Sequence, residues 1–369
     1  MDYCHHILFL SYRIPEKSGA AKFTQTVLEA LRSDPSRRIV RRTIDPLCSV
    51  IDKLGAYAQG YICGVTKHVA EEIISQIERE RIDCIFANFT FWGRLLSVIK
   101  RRFPAIRICT LAHDCEVDLM YDRMVSTRRW RLLLGLFFTF LNERRQARLT
   151  DVLVCLNRRD ALAYEKRYGR TADCLLPIML KDRLAEAKGK LDASPSDRYG
   201  LFVGSRGLEP NAHGMRWFAR YVAPHIGMRI KVVGAAFEDL RSELEAYPNL
   251  EVVGTVDDLG GWYVNAEFVI SPIFRGAGMK TKTAEALMYG KYIIATDEAW
   301  EGYEAIPFPE CGARCNTAEE FIAAIGVIER NGMPRFIPSS RRYYEDRYSY
   351  AQMVANMDRI LDLTLGDAG

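Results

Sequence analysis

The feature that most constrains the fold is an alternation of short apolar runs with amphipathic segments along most of the 369 residues. Strand-like runs such as Ile7–Tyr12 and Ile82–Asn88 alternate with stretches of helical periodicity such as Val65–Glu80. Strands that alternate with helices at this spacing indicate βαβ units and a parallel sheet. The alternation stops in a polar, charged segment at 181–198 and begins again at Tyr199. The sequence therefore predicts two separate α/β domains.

We predict that the first domain covers residues 1–180 and the second covers 199–345. Segment 181–198 has the composition of an interdomain linker, and an amphipathic helix within 346–369 is expected to pack at the domain junction. Each domain should contain its own doubly wound sheet. Open parallel sheets bind ligands outside the carboxyl ends of their strands, so a cleft between the two domains is the expected site.

Charge and cysteine content restrict the partners and the compartment. Residues 1–190 hold 33 Lys and Arg against 22 Asp and Glu, a net charge of +11, whereas the remainder carries −7. The basic half suits an acidic partner such as a phospholipid surface or a lipid diphosphate, although a solvated face would have the same composition. Ten scattered cysteines, several within apolar runs, indicate reduced thiols in the cytoplasm. No metal site is predicted, because no histidine cluster accompanies Cys311 and Cys315.

Segment Arg128–Arg148 is predicted to be one long helix whose apolar residues are flanked by arginines and Trp130. It is too short to cross a bilayer. Two interpretations stay open: a helix buried in the first domain, or a helix whose exposed part dips into a membrane surface. The N-terminal apolar run is short and is predicted to be a first strand, not a signal peptide.

Two polar clusters follow predicted strands. Between Ser271 and Gly290 a glycine-rich turn leads into a helix whose first turn holds Lys280 and Lys282, and Glu285 lies further along that helix. Glycines permit close approach of the backbone, and the start of a helix offers unpaired amides to an anion. In the first domain His113, Asp114 and Glu116 directly follow the strand predicted at Ile106–Ala112. Alternatively, Asp114 caps the next helix and His113 merely packs at a domain edge.

Between Tyr199 and Tyr303 the chain contains the segments LFVGSRGLEPNAHGMRWF and EVVGTVDDLGGWYVNAEFVISPIFRGAGMKTKTAEALMYGKYIIATDEAWEGYE. In their order and spacing these segments resemble the GT-B glycosyltransferases, and most closely glycosyltransferase family 4, the group 1 enzymes. Ordered segments of this length are a much stronger signal than any one glycine motif. The resemblance implies an N-terminal acceptor domain, a C-terminal nucleotide-sugar domain, and no obligatory metal or other cofactor.

The resemblance also implies roles for individual residues. Glu285 is expected to contact the donor ribose, and Arg206 and Lys280 the diphosphate. The backbone of the turn and a small-residue loop in the first domain are expected to face the donor, through Gly276, Gly278, Met279, Ser18 and Gly19. His113 is expected near the reacting sugar, with Asp114 and Glu116 on the acceptor side, so His113, Arg206 and Lys280 are the catalytic candidates.

The chain departs from the family pattern at two positions. Ala277 stands where the family usually carries a first glutamate that contacts the transferred sugar, so the identity of that sugar stays open. His213 lies near the place where many members carry a second phosphate-binding lysine, and Lys280 is a candidate to replace that lysine.

The predicted function is a retaining transfer of a sugar from a nucleotide diphosphate sugar to a saccharide or a lipid-linked acceptor. We expect this reaction in surface polysaccharide or glycoconjugate synthesis at the inner face of the cytoplasmic membrane, without nucleic acid as a partner. Two alternatives remain: a catalytically silent sugar-nucleotide-binding subunit, and a non-hydrolysing sugar-nucleotide epimerase on the same fold. A dehydrogenase is disfavoured because the first loop lacks G-x-G-x-x-G.

Overall fold

The computed structural model of the chain describes residues 5–14, 18–190 and 198–366. These residues form two compact units: one reaches to Pro177 and includes the residues from Met353 onward, and the other is Ile178–Gln352. Within the described ranges each unit contains a six-stranded sheet in which every paired strand is parallel. The predicted fold class, two doubly wound α/β domains, is confirmed.

The first unit has the strand order β2-β1-β3-β4-β5-β6. Its strands are β1 (His5–Tyr12), β2 (Arg37–Ile44), β3 (Cys84–Asn88), β4 (Arg107–Ala112), β5 (Val152–Cys155) and β6 (Cys174–Leu175). Its helices are α1 (Gly19–Leu31), α2 (Val50–Ala58), α3 (Lys67–Glu80), α4 (Gly93–Arg102), α5 (Glu116–Thr127), α6 (Leu133–Leu149) and α7 (Arg158–Tyr168). Because the order reverses between β1 and β3, the rule for open sheets places a ligand at the carboxyl ends of these two strands.

The burial of the individual strands agrees with this strand order. Every residue of β3 and of β5 is buried, as expected for central strands that are covered on both faces. β2 lies at the edge of the sheet, where Arg38 and Arg41 reach solvent, as is typical of an edge strand.

The second unit has the order β12-β11-β10-β7-β8-β9. Its strands are β7 (Tyr199–Val203), β8 (Arg229–Val233), β9 (Leu250–Gly254), β10 (Phe268–Ser271), β11 (Tyr292–Ala295) and β12 (Gly312–Arg314). Its helices are α8 (Leu184–Lys188), α9 (Glu209–Tyr221), α10 (Arg241–Leu244), α11 (Gly260–Asn265), α12 (Thr281–Met288), α13 (Asp297–Trp300), α14 (Ala318–Asn331) and α15 (Pro338–Arg347), and α16 (Tyr350–Leu365) continues into the first unit. The order reverses between β7 and β10, which marks the expected binding point of this unit.

Gly214 shows how closely the elements around that point pack. A Cβ atom on this α9 residue would lie 2.0 Å from the carbonyl oxygen of Pro272, the residue that follows β10. Only glycine permits this approach, which brings α9 against the loop after β10.

The prediction of a helix over Arg128–Arg148 is confirmed from Leu133 onward and is wrong for its first turn. α5 ends at Thr127, Arg128 adopts a left-handed conformation, a 3₁₀ turn covers Trp130–Leu132, and α6 begins at Leu133. Part of the predicted linker, at 191–197, lies outside the described residues. None of the helices in the described part of the chain is both long and apolar enough to span a membrane.

Candidate functional site

The glycine-rich loop after β10 folds around its own lysine. Gly276 and Gly278 have φ angles of +144° and +59°, which side chains rarely adopt. The ammonium group of Lys280 donates to the carbonyl oxygens of Ala277 and Gly278, at 3.1 and 2.9 Å, and to Glu298 Oε1 at 2.7 Å. A lysine with three acceptors stabilises the shape of the loop. Its predicted role toward a diphosphate would require exchange of at least one of these partners and stays a prediction.

Lys282, the second residue of α12, is a cation that was not predicted as a site residue. Its Nζ donates to Asn211 Oδ1 on α9 at 2.6 Å and lies 4.5 Å from the ring centre of Phe202 in β7. Burial, and secondarily the neighbouring charge of Lys280, lower the pKa of Lys282 to about 7. The sequence did contain a signal, because Lys282 and Glu285 are three residues apart and share one face of α12.

Glu285 is buried on α12, and its Oε2 accepts a hydrogen bond from the Tyr263 hydroxyl at 3.2 Å. The ring of Tyr263 stacks on that of Tyr289, with 4.8 Å between the ring centres. The carboxylate therefore has a fixed position beside Lys282, and the ribose contact that the family resemblance implies for Glu285 stays a prediction.

Arg206 follows β7 and lies at the surface. Its backbone amide donates to the carbonyl oxygen of Ala235, which anchors the loop to the end of β8, and its guanidinium pairs with Asp239 at 3.1 Å. Both side chains of this pair are about half exposed, so the pair contributes little to stability and can exchange for a stronger anion. His213 is half-buried two residues after Asn211.

The structure brings these residues to one edge of the second sheet. Arg206 follows β7 and the glycine loop follows β10, the adjacent strands at which the order reverses. The hydrogen bond between Lys282 and Asn211 links the helices that follow the two strands. The region therefore combines a guanidinium, an ammonium, loop amides and one buried carboxylate.

In the first unit, His113 follows β4 and is 5% exposed. Its Nε2 lies 2.8 Å from Asn88 Oδ1, and its ring stacks on Phe89 with 4.0 Å between the ring centres. Burial lowers the pKa of His113 to about 3, so the imidazole is neutral near pH 7. A neutral, fixed imidazole can exchange hydrogen bonds with hydroxyl groups but offers no charge to a phosphate.

Ser18 and Gly19 form the start of α1. Ser18 is the N-cap residue, and its hydroxyl oxygen accepts a hydrogen bond from the amide of Ala21 at 3.1 Å. Gly19 is the first helical residue. The preceding loop residues at 15–17 lie outside the described residues, so contact of Ser18 and Gly19 with a donor stays a prediction.

Asp114 and Glu116 lie at the start of α5, but Asp114 is not the cap, because Cys115 occupies that position. Instead Glu143, a buried residue of α6, accepts hydrogen bonds from the amides of Glu116 and Val117 at 3.0 and 3.2 Å. Burial, together with the charges of Asp114, Glu143 and Asp160, raises the pKa of Glu116. Glu143 is not among the site residues predicted from the sequence; its only signal is that it is an acidic residue within an apolar helix.

Comparison with known proteins decides the class of the second unit. Residues 197–331 match the family model described as glycosyl transferases group 1. These residues form a group 1 glycosyltransferase domain. The predicted resemblance is thereby confirmed, and with it the prediction of a glycosyltransferase. A search of curated proteins found no match for the chain.

Solved structures show a likeness in fold that extends over the whole chain. Sucrose-phosphate synthase from Thermosynechococcus elongatus aligns with a TM-score of 0.74 and 14% identity, covering 99% of this chain and 100% of its own. HepE from Anabaena in complex with UDP aligns with a TM-score of 0.67 and 11% identity over 96% and 99%. A glycosyltransferase from Rickettsia africae aligns with a TM-score of 0.67 and 13% identity over 99% of both chains. At these identities the likeness establishes the GT-B fold.

Proposed function

We propose that the protein transfers a sugar from a nucleotide diphosphate sugar to a hydroxyl group of a saccharide or lipid-linked acceptor, with retention of configuration. One observation carries the proposal: Arg206, Lys282, the loop amides and Glu285 converge at the strand-order reversal of a group 1 glycosyltransferase domain. HepE, of the same fold, has been solved with UDP-glucose, which supports a nucleotide sugar as donor.

The chemistry follows from charge. As the bond between the anomeric carbon and the diphosphate oxygen breaks, negative charge grows on the leaving diphosphate. Arg206, Lys282 and the amides at the start of α12 stabilise this charge, so the mechanism uses no metal ion. The acceptor oxygen bonds to the anomeric carbon on the same face, and its proton passes to the leaving phosphate oxygen, so no protein nucleophile is needed. Glu285 accepts hydrogen bonds from the ribose hydroxyls.

A donor screen tests the proposal. Melting temperatures are measured with UDP-, GDP- and ADP-sugars, and products with glycan acceptors are identified by mass spectrometry. Binding should raise the melting temperature, and Arg206→Ala should abolish the rise. Arg216→Ala is the matched control, because Arg216 is an exposed α9 arginine that pairs with Glu243 at 2.9 Å.

Each outcome of the screen has a distinct meaning. If no nucleotide sugar binds, the donor site is wrong. If one binds but is never consumed, a silent sugar-nucleotide-binding subunit is favoured, as Ala277 would permit. If the bound nucleotide sugar is converted to a stereoisomer without an acceptor, the protein is an epimerase.

We further propose that the acceptor is presented at an anionic bilayer, at the cytoplasmic face of a membrane where surface polysaccharides or glycoconjugates are made. The support is an apolar surface of the first unit, here called the α2–α6 patch. Its exposed members are Val50, Ile51, Leu54, Trp130, Leu133, Leu134 and Phe137. α2 and α6 adjoin, because the rings of Tyr57 and Phe138 stack with 4.9 Å between their centres.

The charge around the patch suits such a surface. Arg128 and Arg129, beside Trp130, are exposed, and so is Lys53 on α2. An exposed apolar surface flanked by basic side chains is typical of helices that lie in a membrane interface. Sedimentation with anionic vesicles at low salt tests the idea, and the absence of binding there would contradict it.

A further inference from the structure

His113 belongs to a chain of hydrogen bonds whose direction can be determined from its far end. The carbonyl oxygen of Tyr12 only accepts, so the Ser11 hydroxyl donates its single proton there, at 3.3 Å. Ser11 Oγ is therefore the acceptor toward Asn88, whose Nδ2 lies 3.1 Å away. The second proton of this amide points to Thr24 Oγ1, also at 3.1 Å.

This direction fixes the proton on His113. With Nδ2 of Asn88 turned toward Ser11, the atom that faces His113 is Oδ1, which only accepts. Nε2 of His113 must therefore carry the ring proton, and Nδ1 must carry a lone pair. In the part of the chain that the structure describes, Nδ1 has no hydrogen-bond partner.

The ring plane is fixed as well. Phe89 stacks on one side of the imidazole, and Phe23 meets it edge-on with 5.4 Å between the ring centres. Phe89 has a φ of +74°, which is strained for a side chain of this size. Its amide donates to the Leu111 carbonyl at 2.9 Å, and its carbonyl accepts from Gln146 at 2.8 Å, so the strained residue is held at both ends.

We propose that Asn88 is a positioning residue that fixes His113 as the Nε2–H tautomer, so that Nδ1 is presented as a hydrogen-bond acceptor to a hydroxyl group of the sugar substrate. The choice of a sugar rests on the proposed function; the tautomer rests on the hydrogen bonds alone. The low pKa of His113 is consistent with this role, because a protonated ring would lose the acceptor. His113 then selects a hydroxyl donor and takes no part as a proton source.

Nitrogen-15 NMR of the full chain tests the tautomer without any substrate. Histidines are labelled, and the His113 signals are assigned as those missing in His113→Gln. The expected wild-type spectrum shows a protonated Nε2 with slow proton exchange and an unprotonated Nδ1, unchanged between mildly acidic and mildly basic pH. A protonated Nδ1 at neutral pH would overturn the proposal.

Two Asn88 variants separate positioning from a general structural role. Asn88→Asp keeps an acceptor at the same place, so the Nε2–H tautomer should persist at high pH, but the added carboxylate should make His113 titrate as the pH falls. Asn88→Leu removes the acceptor, so slow exchange of the Nε2 proton should be lost. If both variants retain the wild-type spectrum and its pH behaviour, Asn88 does not position the ring.

Kinetic measurements test the contact between Nδ1 and the sugar hydroxyl once a sugar substrate is known. Asn88→Leu should raise KM for that sugar at least tenfold, and Asn88→Asp should recover most of the loss at high pH but not at low pH. An unchanged KM in Asn88→Leu would refute the proposed contact between Nδ1 and the hydroxyl. If no donor is ever found, the proposed function fails, while the NMR result still decides the tautomer.

Discussion

At the scale of single residues, two lysines of one loop have different environments. Lys280 is surrounded by two carbonyl oxygens and Glu298, whereas Lys282 has one amide oxygen and an aromatic ring. The family resemblance favoured Lys280, as a candidate to replace the phosphate-binding lysine that many members carry near His213. The side-chain partners determine which of the two lysines is available to a ligand. These partners lie on α9 and α13, and the sequence alone does not show that they come close to the loop.

The lowered pKa of Lys282 predicts that the protein takes up a proton when a nucleotide binds. Its pKa in the free protein is lowered to about 7, and a bound diphosphate must raise it. Above pH 7 binding therefore takes up a proton, so affinity falls as the pH rises. Calorimetry of UDP binding at mildly basic pH, in buffers with different ionisation enthalpies, should detect up to about one proton per UDP.

Lys282→Met should abolish this uptake and weaken UDP binding roughly ten- to a hundredfold, since one charge-assisted hydrogen bond is lost. Lys190→Met is the control, because Lys190 is an exposed lysine that pairs with Asp258 at 3.0 Å. Equal proton uptake in the Lys282→Met variant would show that another group titrates.

The lowered pKa of His113 predicts that the folded chain loses stability in acid. Its pKa is about 3 in the folded chain against about 6.5 for an ordinary histidine. Between these values the unfolded state binds the extra proton, so the free energy of unfolding falls by about 1.4 kcal/mol per pH unit as the pH decreases through this window. Urea unfolding of wild type and His113→Gln should show a difference that shrinks with decreasing pH. The same change at exposed His225 should leave the slope as in wild type.

At the scale of secondary-structure elements, α6 inverts the usual amphipathic pattern. Its buried side chains include Asn142, Glu143 and Gln146, whereas Leu133 and Phe137 are exposed. The side-chain oxygens of these buried amides accept hydrogen bonds from the backbone at the start of α4. Gln146 accepts from the amide of Trp92, and Asn142 accepts from the amide of Arg94. A hydrophobic pattern cannot reveal a helix whose buried face is polar, and for that reason the sequence predicted a single apolar helix here.

The contacts of Glu143 predict a large loss of stability when this residue is replaced. Its carboxylate accepts from the Thr90, Tyr164 and Tyr168 hydroxyls at 3.0, 2.6 and 2.7 Å, in addition to two amides of α5. Glu143→Gln replaces one acceptor oxygen by an NH₂ group that faces donors. The free energy of unfolding should fall by on the order of 3 kcal/mol.

Thermal and urea unfolding measure this loss, and amide exchange at Glu116 and Val117 should accelerate in the Glu143→Gln variant. Glu165→Gln, an exposed substitution of the same type on α7, should leave both readouts unchanged. Identical midpoints for the two variants would contradict the capping role of Glu143.

Most strands were predictable from sequence within two residues at each end, because they are short apolar runs between polar turns. α7 begins after its N-cap residue Asn157 and ends before Gly169, two residue types typical of helix ends. Short helices such as α11 and α13 were missed, because four to six residues show too little periodicity. The site was predictable where it depends on backbone, as in the glycine loop, and less so where side chains from distant segments meet.

At the scale of the whole molecule, the alternation of strands and helices predicted two parallel sheets, but not the order of their strands. That order places Arg206 and the glycine loop on adjacent strands although about 70 residues separate them along the chain. The charge imbalance between the halves was also visible in the sequence. Only the structure shows that the basic half also exposes the α2–α6 patch.

The basic charge of the first half and the α2–α6 patch predict that affinity for vesicles has two separable components. The basic surface of the first half attracts anionic lipid and is screened by salt, whereas insertion of apolar side chains is not. Binding to anionic vesicles should therefore weaken at high salt without disappearing, and binding to neutral vesicles should resemble the high-salt value. Trp130→Ser with Phe137→Ser should lower affinity at both salt levels, by roughly tenfold or more.

Exchanging Arg128 and Arg129 for serine should lower affinity only at low salt, since these side chains contribute charge. Tyr221→Ser with Val327→Ser removes two other exposed apolar side chains, from the second unit, and should change nothing. If the Trp130 and Phe137 double variant binds like wild type at high salt, the α2–α6 patch does not enter the bilayer. Any membrane contact would then be electrostatic, and the exposed apolar side chains would require a different partner.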